Sequence, residues 1–290
     1  VETSATAASG YLDVAKVESR MLAEDINIAE KRCMILNGTD WQGMAGDLAN
    51  RETMTGKPSS AYERSYVGPV AGFDTYRTSF NPTLAAAAGT VTTGGSPQSH
   101  VPLATQTNNV NGGESNVDNR YMDLTVDTTA NVAVGDAFTV AGVNAVSMIH
   151  KNDTGNLRTF RVVEVVDATT LRIYPAPVVA GGSVAEDEYA NVSAPIPATT
   201  ALTFINTTTA PVNTFWTGES VEIIEGKLAT PQEDMAGVST MRASTDSGIE
   251  ILFAKGGDVG RLAADYRLTI FYGVTNLQPQ MNGINLFNQT

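Results

Sequence analysis

Two histidines, one cysteine and a run of three carboxylates are the side chains of this 290-residue chain best suited to chemistry. Imidazole is the usual general base and metal ligand near neutral pH. His100 lies in a Pro/Ser/Gln-rich stretch, and His150 precedes Lys151-Asn152-Asp153. Neither belongs to an HExxH, a His-x-His or any other paired arrangement, so both are expected at the surface. Cys33 sits in the apolar run CMIL and has no second cysteine to pair with. It is expected to be a buried thiol, in a reducing compartment or in a protein indifferent to redox state. Glu186-Asp187-Glu188 could face a cation, but neighbours in sequence rarely converge on one ion, and a solvated loop is the expectation. Gly56-Lys57-Pro58, followed by Ser59-Ser60, has letters of a phosphate loop. Arg51 stands where the upstream glycine is required, and no strand leads in. There is no GxSxG elbow. Asp123 and Asp127 fall on the polar face of an expected strand, where solvation accounts for them. The residues present no catalytic constellation, no metal site and no cofactor motif.

Composition narrows the classes further. Hydrophobic residues make up 42% and charged residues 17%, so Thr, Asn, Ser and Gln must supply much of the polar surface. The formal net charge is -13. A field of that sign repels phosphates and excludes a sequence-specific DNA binder. No run of about 18 apolar residues occurs, so no membrane-spanning helix is expected. Five Asn-x-Ser/Thr triplets begin at Asn37, Asn152, Asn191, Asn206 and Asn288; chance accounts for them in a chain so rich in Asn and Thr.

The elements follow from periodicity and punctuation. A helix is expected from about residue 10 to 31, with Leu12, Ala15, Leu22, Ile26 and Ala29 near one face. Residues 33–36 read as a buried strand before the turn Asn37-Gly38. Thr39 or Asp40 can then cap a second helix over 41–50. Residues 70–76 read as a return strand, after loop-like sequence over 51–69. From 80 to 116 charge is almost absent and Ala, Gly, Thr, Asn and Pro dominate; a boundary or long loops belong there. Residues 105–115 (TQTNNVNGGES) have the makeup of an exposed, extended loop. The stretch 113–177 is β-rich. Met122, Leu124 and Val126 alternate with Tyr121, Asp123 and Thr125, and turns are expected at Gly135-Asp136, Ala141-Gly142 and residues 167–170. Short strands at this spacing predict a small barrel or sandwich. The extended segment 201–206 leads out of it. Further strands are expected at 221–224, 249–254 and 266–274, the last covered on both faces.

Several of these segments together carry a family resemblance. NVDNR at 116–120, GDAFTVAGV at 135–143, FRVVEVVDATTLRIYPAP at 160–177 and YANV at 189–192 resemble the inserted domain of the P22 coat protein family. VAGFD at 70–74, NTFW at 213–216 and FYGV at 271–274 resemble the sequences flanking that insert. The order and spacing of these motifs cover nearly the whole chain.

The resemblance implies an α+β, HK97-like major capsid protein with an inserted all-β barrel, the I-domain. Residues 1–80 would open the A-domain, 81–203 would form the insert, and 204–290 would complete the A-domain and reach the peripheral P-domain. The family's N-terminal arm, E-loop and spine helix have no counterpart here, so the chain corresponds to about the last two-thirds of the expected protein. Implied partners are further copies of the chain, in pentamers and hexamers of an icosahedral shell around double-stranded DNA, with scaffolding and portal proteins. The implied place is the virion capsid, assembled in the bacterial host cytoplasm. Neither catalysis nor a cofactor is implied. The family's long insert loop reaches a neighbouring capsomer, and the resemblance places that contact at Thr107, Asn108, Asn109, Asn111 and Glu114. Asn109 and Asn111 occupy places where the family has acids, and Glu114 a place where lysine is common. A contact kept here should rest on amides or on reversed charge. A β-rich surface-binding or decoration module of a phage particle is the alternative, with an enzyme third.

Overall fold

The computed structural model describes all residues except 9, 27–30, 51–60, 108–111, 227–237, 247, 259, 261–262 and 290. The phosphate-loop-like letters at 56–60 lie outside the described residues. The chain divides into two compact units, Val1–Trp216 with Met281–Thr290, and Thr217–Gln280.

Among the described residues the first unit contains two large apolar cores and a small third cluster of Val212, Ile284 and Leu286. In the first core, helix α1 (Tyr11–Ala23) and helix α2 (Gly38–Ala49) accompany a five-stranded sheet. The sheet order is β1 (Glu2–Thr3), β19 (Asn282–Leu286), β13 (Asn213–Thr217), β2 (Arg32–Asn37), β3 (Phe73–Thr78). Strands β2 and β3 are parallel, as expected of a buried strand and its return after a helix. Period two along β2 buries Arg32, Met34 and Leu36 and leaves Cys33 half-exposed, so the expected buried thiol is corrected to a partly covered one. Burial still pushes that thiol's pKa up.

Helix α1 buries Val14, Val17 and Met21, not the face through Leu12 and Leu22. Leu12 is 73% exposed. The helix ends at Ala23, and Ile26 reaches the core from beyond it, so the longer period that aligned Leu12 with Ile26 never forms. Helix α2 starts at Gly38 and is capped by Asn37, whose Oδ1 accepts the Thr39 N–H at 2.9 Å. Asp40 therefore lies in the first turn and is not the cap. Gly43 lets the N-terminal segment cross this helix; a Cβ there would lie 1.9 Å from the Ala8 carbonyl oxygen.

The second, central β-core is built on a five-stranded antiparallel sheet. Its order is β11 (Leu202–Phe204), β8 (Ala137–Val146), β9 (Asp153–Asp167), β10 (Thr170–Tyr174), β7 (Met122–Thr125). The expected alternation holds: Leu124 and Val126 are buried while Asp123 and Thr125 face water. Phe138 stacks on Phe160 at 5.7 Å and meets Phe204 at 6.0 Å. The sheet does not close into a barrel by a continuous ladder. Its edges are linked instead through residues 91–94, by isolated bridges Thr92↔Ala201 and Thr93↔Val126. The expected turn at Ala141-Gly142 is a bulge inside one long strand, where Gly142 takes φ 80° and the register with β9 shifts. The core is also not all-β. The acidic run expected as a loop forms a short helix, α3 (Val184–Tyr189), because the Ser183 hydroxyl caps the Glu186 N–H at 3.3 Å and Asp187 accepts from Gly181 at 2.7 Å. Outside the sheets lie a short pair, β4 (Thr83–Leu84) with β12 (Ala210–Pro211), and a hairpin, β5 (Thr105–Thr107) with β6 (Glu114–Asn116).

Two buried asparagines secure the passages of the chain between the cores, one at each end. Asn213 accepts the Asn37 N–H at 2.7 Å and the Asn81 amide at 3.4 Å, and donates to Asp40 at 2.8 Å. Asn206 donates to Ala85 O at 3.0 Å and Asp136 at 2.9 Å, and accepts the Ala137 N–H at 3.1 Å. The chain leaves the first core beside Asn81 and returns through Asn206 and Asn213, so both passages are tied by amide bonds away from water.

The second unit holds a three-stranded antiparallel sheet, β15 (Val238–Ser244), β16 (Glu250–Asp258), β17 (Ala263–Ile270), and a pair, β14 (Val221–Glu225) with β18 (Tyr272–Asn276). The single strand expected over 266–274 is thus two. Ile270 pairs with Ile251 and Tyr272 with Glu225, so the chain changes partners at Phe271. The expected coverage of both faces is also corrected: Leu268 is 72% and Val274 62% exposed.

Asp40 gives the first core a pH dependence. Burial raises its pKa above the ordinary carboxylate value, opposed by the Asn213 hydrogen bond. The unfolded chain releases this proton more readily, so the Asp40 contribution to stability falls as pH rises from the unfolded towards the folded pKa. Asp40→Asn keeps an acceptor and removes the charge. It should flatten that slope in urea titrations run upward from the ordinary carboxylate pKa of about 3.9. Asp40→Ala leaves the Asn213 amide unpaired and should cost about 1–3 kcal/mol.

Candidate functional site: the projecting hairpin

Among the described residues the hairpin β5–β6 pairs only with itself. All three residues of β5 are exposed, as are Glu114 and Asn116 of β6. The register sets Thr105 opposite Asn116, Gln106 opposite Ser115 and Thr107 opposite Glu114. An isolated two-stranded ribbon is marginally stable in water, so something must hold its base.

The segment NVDNR does this residue by residue. Asn116 closes the last rung of the ladder, and the Val117 N–H continues it to Ala104 O at 3.2 Å. Asn119 then acts as a substitute strand residue. Its Oδ1 accepts the Leu103 N–H at 3.1 Å and its Nδ2 donates to Leu103 O at 2.9 Å. These two bonds fix the orientation of the amide. His100 Nε2 lies 3.0 Å from the same Oδ1, so that nitrogen must carry a proton. Neutral and cationic imidazole can both supply it, which makes the clamp indifferent to the charge on His100. The two neighbours of Asn119 pair across it. Asp118 and Arg120 form a two-pronged ion pair at 2.8 and 2.6 Å, and this bond, above all, holds the Asp118 carboxyl down to about 2. The Arg120 guanidinium lies 5.2 Å from the Tyr121 ring centroid, and Arg120 O accepts the Ala176 N–H at 2.9 Å. The ribbon is thereby fastened to the central β-core.

Of the contact residues expected from the sequence, Thr107 and Glu114 face each other as the outermost described rung. Asn108, Asn109 and Asn111 lie outside the described residues. His100 was expected to be a bland surface histidine, yet it braces the hairpin base. His150 is exposed and engages Asp25. Asp123 meets Arg172 at 2.8 Å, and Asp127 accepts the Thr92 and Thr128 N–H groups, each at 2.8 Å. These are structural bonds, and among the described residues no group of three or more His, Cys, Asp or Glu could hold a metal ion. Among the described residues no helix is long and apolar enough to cross a membrane. The clamp by Asn119 does not follow from residue types and spacing alone. Its one sequence signal is an amide just beyond the last rung of a polar ribbon.

The family model described as "P22 coat protein - gene protein 5" matches residues 1–288. Among solved structures, the I-domain of the CUS-3 coat protein is 39% identical to this chain, with a TM-score of 0.30. The match covers 42% of this chain and 99% of that one. The class is therefore a structural phage coat protein, strand-rich and mixed α/β. The chain belongs to the P22 coat protein family, whose members are major capsid proteins.

The clamp is separable from the fold. Asn119→Ala should leave the central β-core intact and speed exchange of the Leu103 and Val117 amides about tenfold, the equivalent of one net hydrogen bond. Asn119→Asp keeps the acceptor and loses the donor, and should fall between.

Proposed function

We propose that this coat protein assembles with copies of itself into pentamers and hexamers of an icosahedral shell around double-stranded DNA, and that the hairpin β5–β6 reaches a neighbouring capsomer. Residues 1–80 and 204–290 are taken as the A-domain and P-domain strands of an HK97-like subunit, and 81–203 as its insert. Scaffolding and portal proteins are the expected partners during assembly in the host cytoplasm. The observation that carries this reading is a polar ribbon whose described strands form a sheet of their own, fastened to a well-packed core by a dedicated clamp.

The chemistry of the ribbon constrains the contact. Thr105, Gln106, Thr107, Ser115 and Asn116 are uncharged, and Glu114 is the one charge on its two strands. Amide and hydroxyl hydrogen bonds suit repeated weak interfaces, where many copies add. They are screened little by salt.

Electron microscopy of the purified assembly tests the reading. Closed shells with an outward knob on each subunit are expected, and a soluble monomer with no tendency to assemble would overturn it. Deleting residues 107–113 should leave the subunit folded and weaken the shells. Shell integrity in the intact protein should change little between about 0.05 and 0.5 M salt. A steep loss over that range would assign the contact to ion pairs.

A further inference from the structure

We infer that Asp25, just beyond the end of α1, is the positioning residue that seats the central β-core on the first core and so aims the hairpin. Asp25 takes φ 62°, the left-handed region in which a helix usually stops on glycine. A short polar side chain tolerates this conformation but gains nothing from it unless the side chain has work elsewhere. Here both carboxylate oxygens are engaged by one loop of the central β-core. Oδ2 accepts the Ile149 N–H at 3.0 Å and the His150 N–H at 3.1 Å, and Oδ1 faces His150 Nδ1 at 2.9 Å.

The loop is shaped to offer those donors. Lys151 is itself left-handed, at φ 56°. The Ser147 N–H donates to Asn152 O at 2.9 Å, and the Asn152 N–H returns to Ser147 Oγ at 3.2 Å. Closed in this way, the loop turns two successive N–H groups outward, a small nest for an anion. The carboxylate in that nest is held well below the usual range, first by the His150 N–H and then by its ring.

A second seat lies on β9. Arg20 donates to Leu157 O at 2.7 Å, and Glu24 bridges Arg20 at 3.1 Å and Arg158 at 3.4 Å. The three charged side chains are 14–23% exposed. Loop 147–152 and β9 are thus held at two places by one helix end, while Asn206 fixes the core where the chain enters and leaves it. The two seats on one helix end set the orientation of the central β-core. The hairpin shares that orientation through Arg120 and Ala176. Aiming the hairpin matters only on the proposed capsomer contact; the seating itself does not depend on it.

The competing role for Asp25 is a plain helix stop, and Asp25→Gly separates the two. Glycine relieves the left-handed backbone, so a plain stop would leave loop 147–152 unchanged. On the seating role, the Ile149 and His150 amides should exchange at least about tenfold faster in the full chain, while Val17 and Phe160 keep their protection. Backbone relaxation should then show the central β-core reorienting on its own. Unchanged exchange at 149 and 150 would overturn the inference. Asp25→Asn keeps an acceptor at the same place and should restore part of the protection; it carries the same comparison if the glycine variant does not fold. If the two amides open and shells form with normal hairpin contacts, the aiming of the hairpin by Asp25 is overturned, with the capsid reading untouched.

Discussion

The side chain of Asn213 is the point on which the first unit depends. It sits out of water at the return of a long excursion and bonds to the residue from which the excursion leaves, 132 positions earlier. A buried amide left unpaired is expensive, so this arrangement is satisfied only when Asn37, Asp40 and Asn81 are all in place. The bond therefore couples strand register, the start of α2 and the mouth of the central β-core. Asn206 repeats the device one step further in, with Ala85 and Asp136. The passages between the two large cores are thus held by amides, whose directionality fixes geometry in a way that apolar contact does not.

A division of labour follows. Apolar packing builds each core: Val14, Met34 and Phe73 in one, and Phe138, Phe160 and Leu171 in the other. Polar bonds set how the parts stand to one another, at Asn213 and Asn206, at Asp25, and at the hairpin base. The net charge of -13 takes little part in this. Most structural bonds described here use neutral amides, or carboxylates such as Asp118 whose charge is met by a neighbour. The ribbon carries this chemistry outward, with one charged residue on its two strands.

The helix–strand–helix beginning could be read from the chain because its signals are local. An apolar run followed by Asn37-Gly38 both ends β2 and caps α2. The alternation through Met122, Leu124 and Val126 could be read for the same reason. The face of α1 could not, because Leu12 and Leu22 match a helical period as well as Val14 and Val17 do, and the sheet decides between them. Gly142 carries the same residue signal for a bulge as for a turn; the pairing of β8 with β9 on both sides of it makes it a bulge. The change of partner at Phe271 leaves no mark in a continuous β-forming run. The exposure of the ribbon was legible from its composition, but its clamp was not. Asn119 owes its role to Leu103, sixteen positions before it, and an asparagine in a loop is too common to announce such a partner.

The clamp has a consequence for how this surface can change over evolutionary time. With Leu103 and Asn119 fastened to each other, everything between them is a closed loop on a fixed base, and the cost of closing a loop grows only with the logarithm of its length. A tip of twice the length would cost only about 0.6 kcal/mol more. Residues beyond the clamp are therefore free to vary in length and charge without reporting back to the core.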